Sequence, residues 1–301
     1  MGISMGAAMS FKSPFVLPPG SMRRNAELSK NTLSEKSESD QITILHALQA
    51  RDTFTRRGRL SSFQGFCNSN FLSINTLQTI ADLRKNCSRE LMSLGFPLPS
   101  MEGYHTRNGN SDPAILQSTI AAGLYPNVAS RRQGEVKFST ITNRKAKVHV
   151  SSVNACKGQR LNGKCTAPKD DIEFIAFGEM VRGMAFFTMS LTSHLASPLP
   201  LLLLCGRLTV RPMVINVEDN EVAESNSTNK SYLEVDDWIV FQCDKHIATN
   251  LVVLRKRLDS AFLKLFANLA TGMNLAGADK KNIVEILSAV LKSAHNVMYN
   301  K

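Results

Sequence analysis

Gly158-Gln159-Arg160-Leu161-Asn162-Gly163-Lys164-Cys165 is the string in this chain whose spacing comes nearest to a known chemistry. It fits the phosphate-cradling G-x-x-x-x-G-K-[ST] loop at every position but the last. Such a loop works when a strand feeds it and a helix leaves it, so that backbone amides and a helix end face the phosphates. Here Pro168, Asp170 and Asp171 follow closely, no helical pattern continues, and Cys165 is a poor magnesium ligand where a hydroxyl is required. A nucleotide site is therefore not expected at Lys164. The chain has no H-E-x-x-H, no G-x-S-x-G and no D-E-x-D/H acidic box. His46 lies between Leu45 and Leu48 in a helical pattern, and His105 lies in a linker-like segment. His194 and His246 have no sequence-near Ser, Cys or acid in an arrangement that suggests activation, and His295 lies in the last helical segment. The cysteines, at 67, 87, 156, 165, 205 and 243, form no CxxC and no Cys/His pair at zinc spacing. Reduced thiols are the expectation, with no structural metal. No residue is assigned a catalytic or metal-binding role.

What the chain does carry is a local concentration of positive charge. From Arg131 to Asp170, ten Lys and Arg stand against two acids, which is +8 of the chain's net +11; residues 171–235 are acidic by four. A basic cluster of this kind is the electrostatic footprint of a polyanion partner, although a solvated basic loop would show the same charge. Arg144, Lys145 and Lys147, beside His149, Ser151, Ser152 and Asn154, supply phosphate donors of several geometries. Ser151, Ser152 and Asn154 could equally be turn residues after a strand. Aromatics in the basic zone are few, chiefly Phe138, so base stacking is the weaker half of a nucleic-acid signal. Arg131-Arg132 followed by Arg144-Lys145 also has the spacing of a bipartite nuclear signal, but in strand-like surroundings.

These residues need elements to hold them. Ser39-Asp40 caps a helix whose stripe is Ile42, Leu45, Leu48 and Phe54, ending at Arg57-Gly58. A second helix starts after Ser73, runs along Ile74, Leu77, Ile80, Leu83, Leu91 and Leu94, and is stopped by Gly95 and Pro97. A third opens at Asp112-Pro113 and ends before Pro126. Pro97–Ser111 reads as a linker. After about Val128 the period changes to short runs rich in β-branched and aromatic residues. They are Val136–Thr140, Lys145–Val150, Ile172–Val181, Met184–Leu191, Leu201–Cys205, Leu208–Val217 and Tyr232–Phe241. Such a series suggests a small closed barrel of the five-stranded OB type. Glu218–Lys230 reads as a polar inserted loop, and Ile247–Leu263 and Ile283–Met298 as closing helices. The fold class is thus α+β: a partial helical bundle, an OB-like barrel and C-terminal helices. The expected divisions are 1–111, 112–268 and 269–301. No run approaches the roughly 18 apolar residues of a membrane span. Nor is there a secretory signal pattern, so a cytoplasmic or nuclear location is expected.

Several strings are distinctive together. They are Phe11-Lys12-Ser13-Pro14-Phe15, Ser39-Asp40-Gln41, Phe66-Cys67-Asn68-Ser69-Asn70-Phe71-Leu72-Ser73, Ala122-Gly123-Leu124-Tyr125-Pro126-Asn127-Val128-Ala129, Val148-His149-Val150-Ser151-Ser152-Val153-Asn154 and Asp236-Asp237-Trp238-Ile239-Val240-Phe241. In this order the chain resembles the carboxyl-terminal part of DEAH-box RNA helicases, in the RNA-helicase-A-like branch. Phe177-Gly178-Glu179-Met180-Val181-Arg182 adds to the likeness. Two departures stand out: Gln41 where the family has His, and Val150 where Pro or Lys is usual.

The resemblance implies a remainder of the family's helical ratchet, in the helicase-associated region, followed by its OB-fold. It implies an accessory role in holding single-stranded or structured RNA beside RecA-like motor domains that this sequence does not contain. ATP and Mg2+ would belong to those domains, so no cofactor is expected in this chain, and it should not hydrolyse ATP alone. Partners would be RNA, the motor domains or other proteins, and no membrane. The alternatives are a catalytically inactive RNA-binding adaptor and a protein-interaction scaffold using the apolar helices and the Leu199–Leu204 run. Because the likeness begins inside the ratchet, Ile42, Leu45 and Leu48 are expected to lack part of their packing.

Overall fold

Ser39 opens the helix around which the amino-terminal elements gather. Its hydroxyl accepts a hydrogen bond from the amide of Ile42 at 3.2 Å, and Asp40 places a carboxylate in the first turn. The computed structural model describes residues 2–96, 113–132, 135–142, 144–155, 172–212, 230–270, 285 and 287–293. The Gly158–Cys165 string, the 97–111 linker and most of the Glu218–Lys230 segment lie outside them, and so does much of Ile283–Met298. The chain divides into two compact units, Met1–Ala196 and Ser197–Lys301.

The first unit begins with helices α1 (Gly2–Met9), α2 (Met22–Leu33), α3 (Asp40–Arg56), α4 (Leu60–Ser69), α5 (Ile74–Ser93) and α6 (Pro113–Leu124). Gly58 and Gly95, with φ of 64° and 83°, end α3 and α5 in the left-handed turn that lets the last carbonyls find amide partners. Helix α3 is buried on nearly every face, as a helix in the middle of a bundle must be. Ile44 and Leu48 pack with Ile80 and Ala81 of α5, and Ala7 and Ala8 of α1 close that cluster. Ile42, Leu45 and Leu48 are all buried, which corrects the expectation of missing partners; Ala7 and Ala8 of α1 pack in the cluster that holds Leu48.

Strands β1 (Val128–Arg132), β2 (Phe138–Thr140), β3 (Lys145–Val148), β4 (Ile172–Arg182) and β5 (Phe187–Leu195) follow. They close into a barrel in the order β1-β2-β3-β5-β4, with β4 returning to β1 and only β3–β5 parallel. Its interior is Ala129, Phe138, Ala146, Ile175, Phe177 and Met189, small residues alternating with large ones to fill a narrow tube.

The second unit holds α7 (Leu199–Leu204), the antiparallel strands β6 (Leu208–Pro212), β7 (Lys230–Val235) and β8 (Ile239–Asp244), and α8 (Lys245–Ala270). Residues 287–293 are helical as well. Leu201–Cys205 therefore begins as a helix, not a strand. Pro198 and Pro200 pre-set a helical start, and Leu, which is not branched at Cβ, favours the helix where β-branched residues would favour a strand. Tyr232–Phe241 is two strands around a turn in which Asp236 and Asp237 are left-handed. Arg255 of α8 donates to the carbonyls of Cys205 and Gly206, each at 3.1 Å, and so satisfies the end of α7. Among the described residues, no helix is long and apolar enough to cross a membrane.

Candidate nucleic-acid interface

The alternation of β3 decides which basic residues face out. Ala146 is buried in the barrel and Val148 packs beside it, so Lys145 and Lys147 project from the opposite face. Lys145 Nζ donates to Ser139 Oγ on β2 at 2.6 Å. Lys147 Nζ lies 4.7 Å from the centre of the Phe186 ring, and the Arg144 guanidinium lies 5.1 Å from that of Phe187. The parallel pairing of β3 with β5, with Ala146 opposite Phe187, is what brings these aromatics alongside the basic strand.

His149 continues the same run and is exposed. Its Nδ1 is 2.7 Å from Ser151 Oγ, and its backbone amide donates to the carbonyl of Met189. Arg144, Lys145 and His149 are thus exposed along β3, with Lys147 half-buried among them and half-buried Ser151 at the end of the run.

Ser152 and Asn154 are placed differently. Both are buried. Ser152 Oγ is 2.7 Å from Thr192 Oγ1, and Asn154 Nδ2 donates to the carbonyl of Glu38 and to Thr192 Oγ1, each at 3.0 Å. Beside them Asp40, 2% exposed, accepts from the amide of Val153 at 3.0 Å, from the amide of Thr192 at 2.9 Å and from Lys30 Nζ at 2.7 Å. Lys30 Nζ also donates to the carbonyl of Ser151 at 2.6 Å. Gln41 Nε2 donates to the carbonyl of Leu191 at 2.5 Å. The Ser39-Asp40-Gln41 string is therefore the joint between the helices and the barrel, and it fixes the turn from which His149 and Ser151 emerge.

Two residues singled out by sequence change their meaning. Phe138 is buried inside the barrel, with the Arg131 guanidinium over its ring at 4.4 Å, and offers no face to a ligand. Arg131 is itself paired with Glu173, its Nε 3.0 Å from Oε2, and belongs to the barrel wall. The exposed aromatic of this region is Phe186, which sits in the β4–β5 turn. The signal that could have found it is the Phe186-Phe187 pair opening a strand, where alternation sends one ring in and the other out.

The comparisons with known proteins agree with this architecture. A family described as an oligonucleotide/oligosaccharide-binding (OB) fold matches residues 116–208, which contain the whole barrel. The ATP-dependent DNA/RNA helicase DHX36 of Mus musculus is 27% identical over 265 residues, covering 86% of this chain and 24% of that protein. The ATP-dependent RNA helicase DHX29 of Mus musculus is 27% identical over 303 residues, covering 97% of this chain and 20% of its own length. The DExH-box ATP-dependent RNA helicase DExH1 of Arabidopsis thaliana is 32% identical over 155 residues, covering 51% of this chain and 15% of that protein. The chain spans about a quarter or less of the length of these relatives. The likeness to the carboxyl-terminal part of DEAH-box RNA helicases, read from its strings of residues, holds over most of the chain.

Proposed function

We propose, from this likeness and the closed barrel, that the chain is a single-stranded RNA-binding accessory region of a DEAH-box type of ATP-dependent RNA helicase. The observation that carries the reading is the basic run along β3, in which Arg144, Lys145 and His149 are exposed and Lys147 is half-buried. The outer face of strands two and three is where small barrels of this class take oligonucleotides. Ammonium and guanidinium groups in a row match the spacing of phosphates on a flexible strand, and they hold it without reading its sequence.

In this reading α1–α5 correspond to the helicase-associated ratchet, and the barrel steers the strand. The relatives' names include ATP dependence; ATP and Mg2+ would be held by motor domains outside the part that this chain matches. Ser152 and Asn154 act by shaping the turn, whereas Arg144, Lys145, Lys147 and His149 touch the strand. The scaffold alternative loses the Leu199–Leu204 run as a surface, because Leu201, Leu202 and Leu203 are buried.

The test is titration of single-stranded RNA of mixed and homopolymeric sequence at several salt concentrations. Lys145→Ala and Lys147→Ala should each weaken binding about equally for all sequences. Each should also reduce the slope of log K against log salt by about 0.7. Unaltered affinity and slope in the double variant would move the binding surface elsewhere.

A further inference from the structure

We infer that Phe186 is a stacking platform for one nucleobase of the bound single strand, with Lys147 placed to take the adjoining phosphate. The inference rests on the RNA-binding reading above and names the chemistry of one subsite within it.

The first support is exposure without a structural use. Phe186 is 40% exposed, while its neighbour Phe187 turns inward and packs on the barrel core. A barrel interior already filled by Phe138, Ile175, Phe177 and Met189 has one of the two rings and leaves the other in water. The second support is fixation. The backbone of Phe186 is held by a hydrogen bond from the Gly183 amide to its carbonyl at 2.9 Å, and Arg182 pairs with Phe187 directly after it. The ring is therefore presented by a closed hairpin, with few torsions left to freeze on binding.

The third support is the company it keeps. Lys147 Nζ stands 4.7 Å from the ring centre, on a strand whose next outward residue is Lys145. The ammonium covers one face of the ring, and the ring's remaining exposure suits a nucleotide, which offers a base and a phosphate together. Val181 and Met184, both exposed, flank the turn and extend the apolar edge on which a second base could lie. Arg144 and Arg182, also exposed, complete a rim that is basic apart from Glu179. An apolar protein partner would leave these cations unpaired, whereas a polyanion with flat bases uses both features. Purines, with the larger π surface, should gain more from the platform than pyrimidines.

The full chain carrying Phe186→Ala, Phe186→Leu or Phe186→Trp is titrated with single-stranded adenosine and uridine oligomers, beside the Lys145→Ala/Lys147→Ala variant. Phe186→Ala is expected to weaken adenosine binding by roughly 5- to 100-fold, and uridine binding by less, with the salt slope unchanged because no phosphate contact is removed. Phe186→Leu should fail to rescue despite its apolar bulk. Phe186→Trp, made with Trp238→Phe, should bind as well as the parent, and its indole fluorescence should be quenched by RNA. Unchanged affinity in Phe186→Ala while the lysine variant weakens would overturn the stacking site and leave the RNA-binding reading standing. A fall in salt slope in Phe186→Ala, or full rescue by Leu, would also overturn it. If neither the phenylalanine nor the lysine variants weaken binding, the stacking site is overturned and the binding surface lies elsewhere on the chain; if the parent chain binds no RNA at all, the RNA-binding reading fails.

Discussion

Gly178 stands where a side chain would be crowded. A Cβ at this position would come 3.1 Å from the Cβ of Leu191 on the paired strand. Leu191 has a left-handed φ of 50°, sends its side chain into the helical core beside Leu48 and Ile80, and turns its carbonyl to Gln41. Gly178→Ala should therefore destabilise the chain by about 1–3 kcal/mol, read as a lowered denaturant midpoint. An unchanged midpoint would mean that Leu191 can retreat freely. The thiols give a second check at this scale. Burial pushes Cys67 up to about 11 and Cys205 from the ordinary 9.0 to about 12. Both are raised, so their contribution to stability is complete below pH 9.0 and is lost as pH rises through about 11 and 12. In the native chain at mildly alkaline pH, half-buried Cys87 should alkylate before either of them. Labelling of Cys205 at the rate of Cys87 would contradict its packing. Charge was legible in sequence at single residues, because Lys145 and Lys147 alternate with Ala146 and Val148. Accessibility was not: Phe138 carried the aromatic signal but lies inside, and only the pairing of β3 with β5 reveals Phe186.

Between elements, one carboxylate does the joining. Asp40 meets two backbone amides of the barrel and one ammonium from α2, and water does not reach it. Asp40→Ala would strand the Val153 and Thr192 amides and the Lys30 charge, at about 3–5 kcal/mol. Lys30→Ala should be milder, since the carboxylate keeps its two amide donors. Chemical denaturation of both variants reads the difference, and equal losses would show that the amide contacts carry little. Sequence announced α3, α5 and α6 through Ser39, Ser73 and Pro113, because caps are local chemistry. It did not announce what Asp40 holds, since Thr192 is far along the chain. It misassigned Leu201–Leu204 because an apolar run alone does not separate a short buried helix from a strand. Strand β1 was likewise missed, because two of the five residues of Val128–Arg132 are arginines.

For the whole molecule, the barrel and the charge were legible because both are sums over many residues; the division at Ala196–Ser197 was not, since no composition shift marks it. Two expectations follow at this scale. Purified chain should not hydrolyse ATP with or without RNA, and RNA-stimulated hydrolysis abolished by Lys164→Ala would contradict the reading of Gly158–Cys165. The central claim is that a single strand lies along β3 and the β4–β5 turn. Photo-crosslinking of single-stranded RNA carrying 4-thiouridine, followed by mass spectrometry of the digested adducts, tests it most directly. The account predicts adducts within residues 144–149 and 181–187. Adducts confined to α8, with none on the barrel, would contradict it.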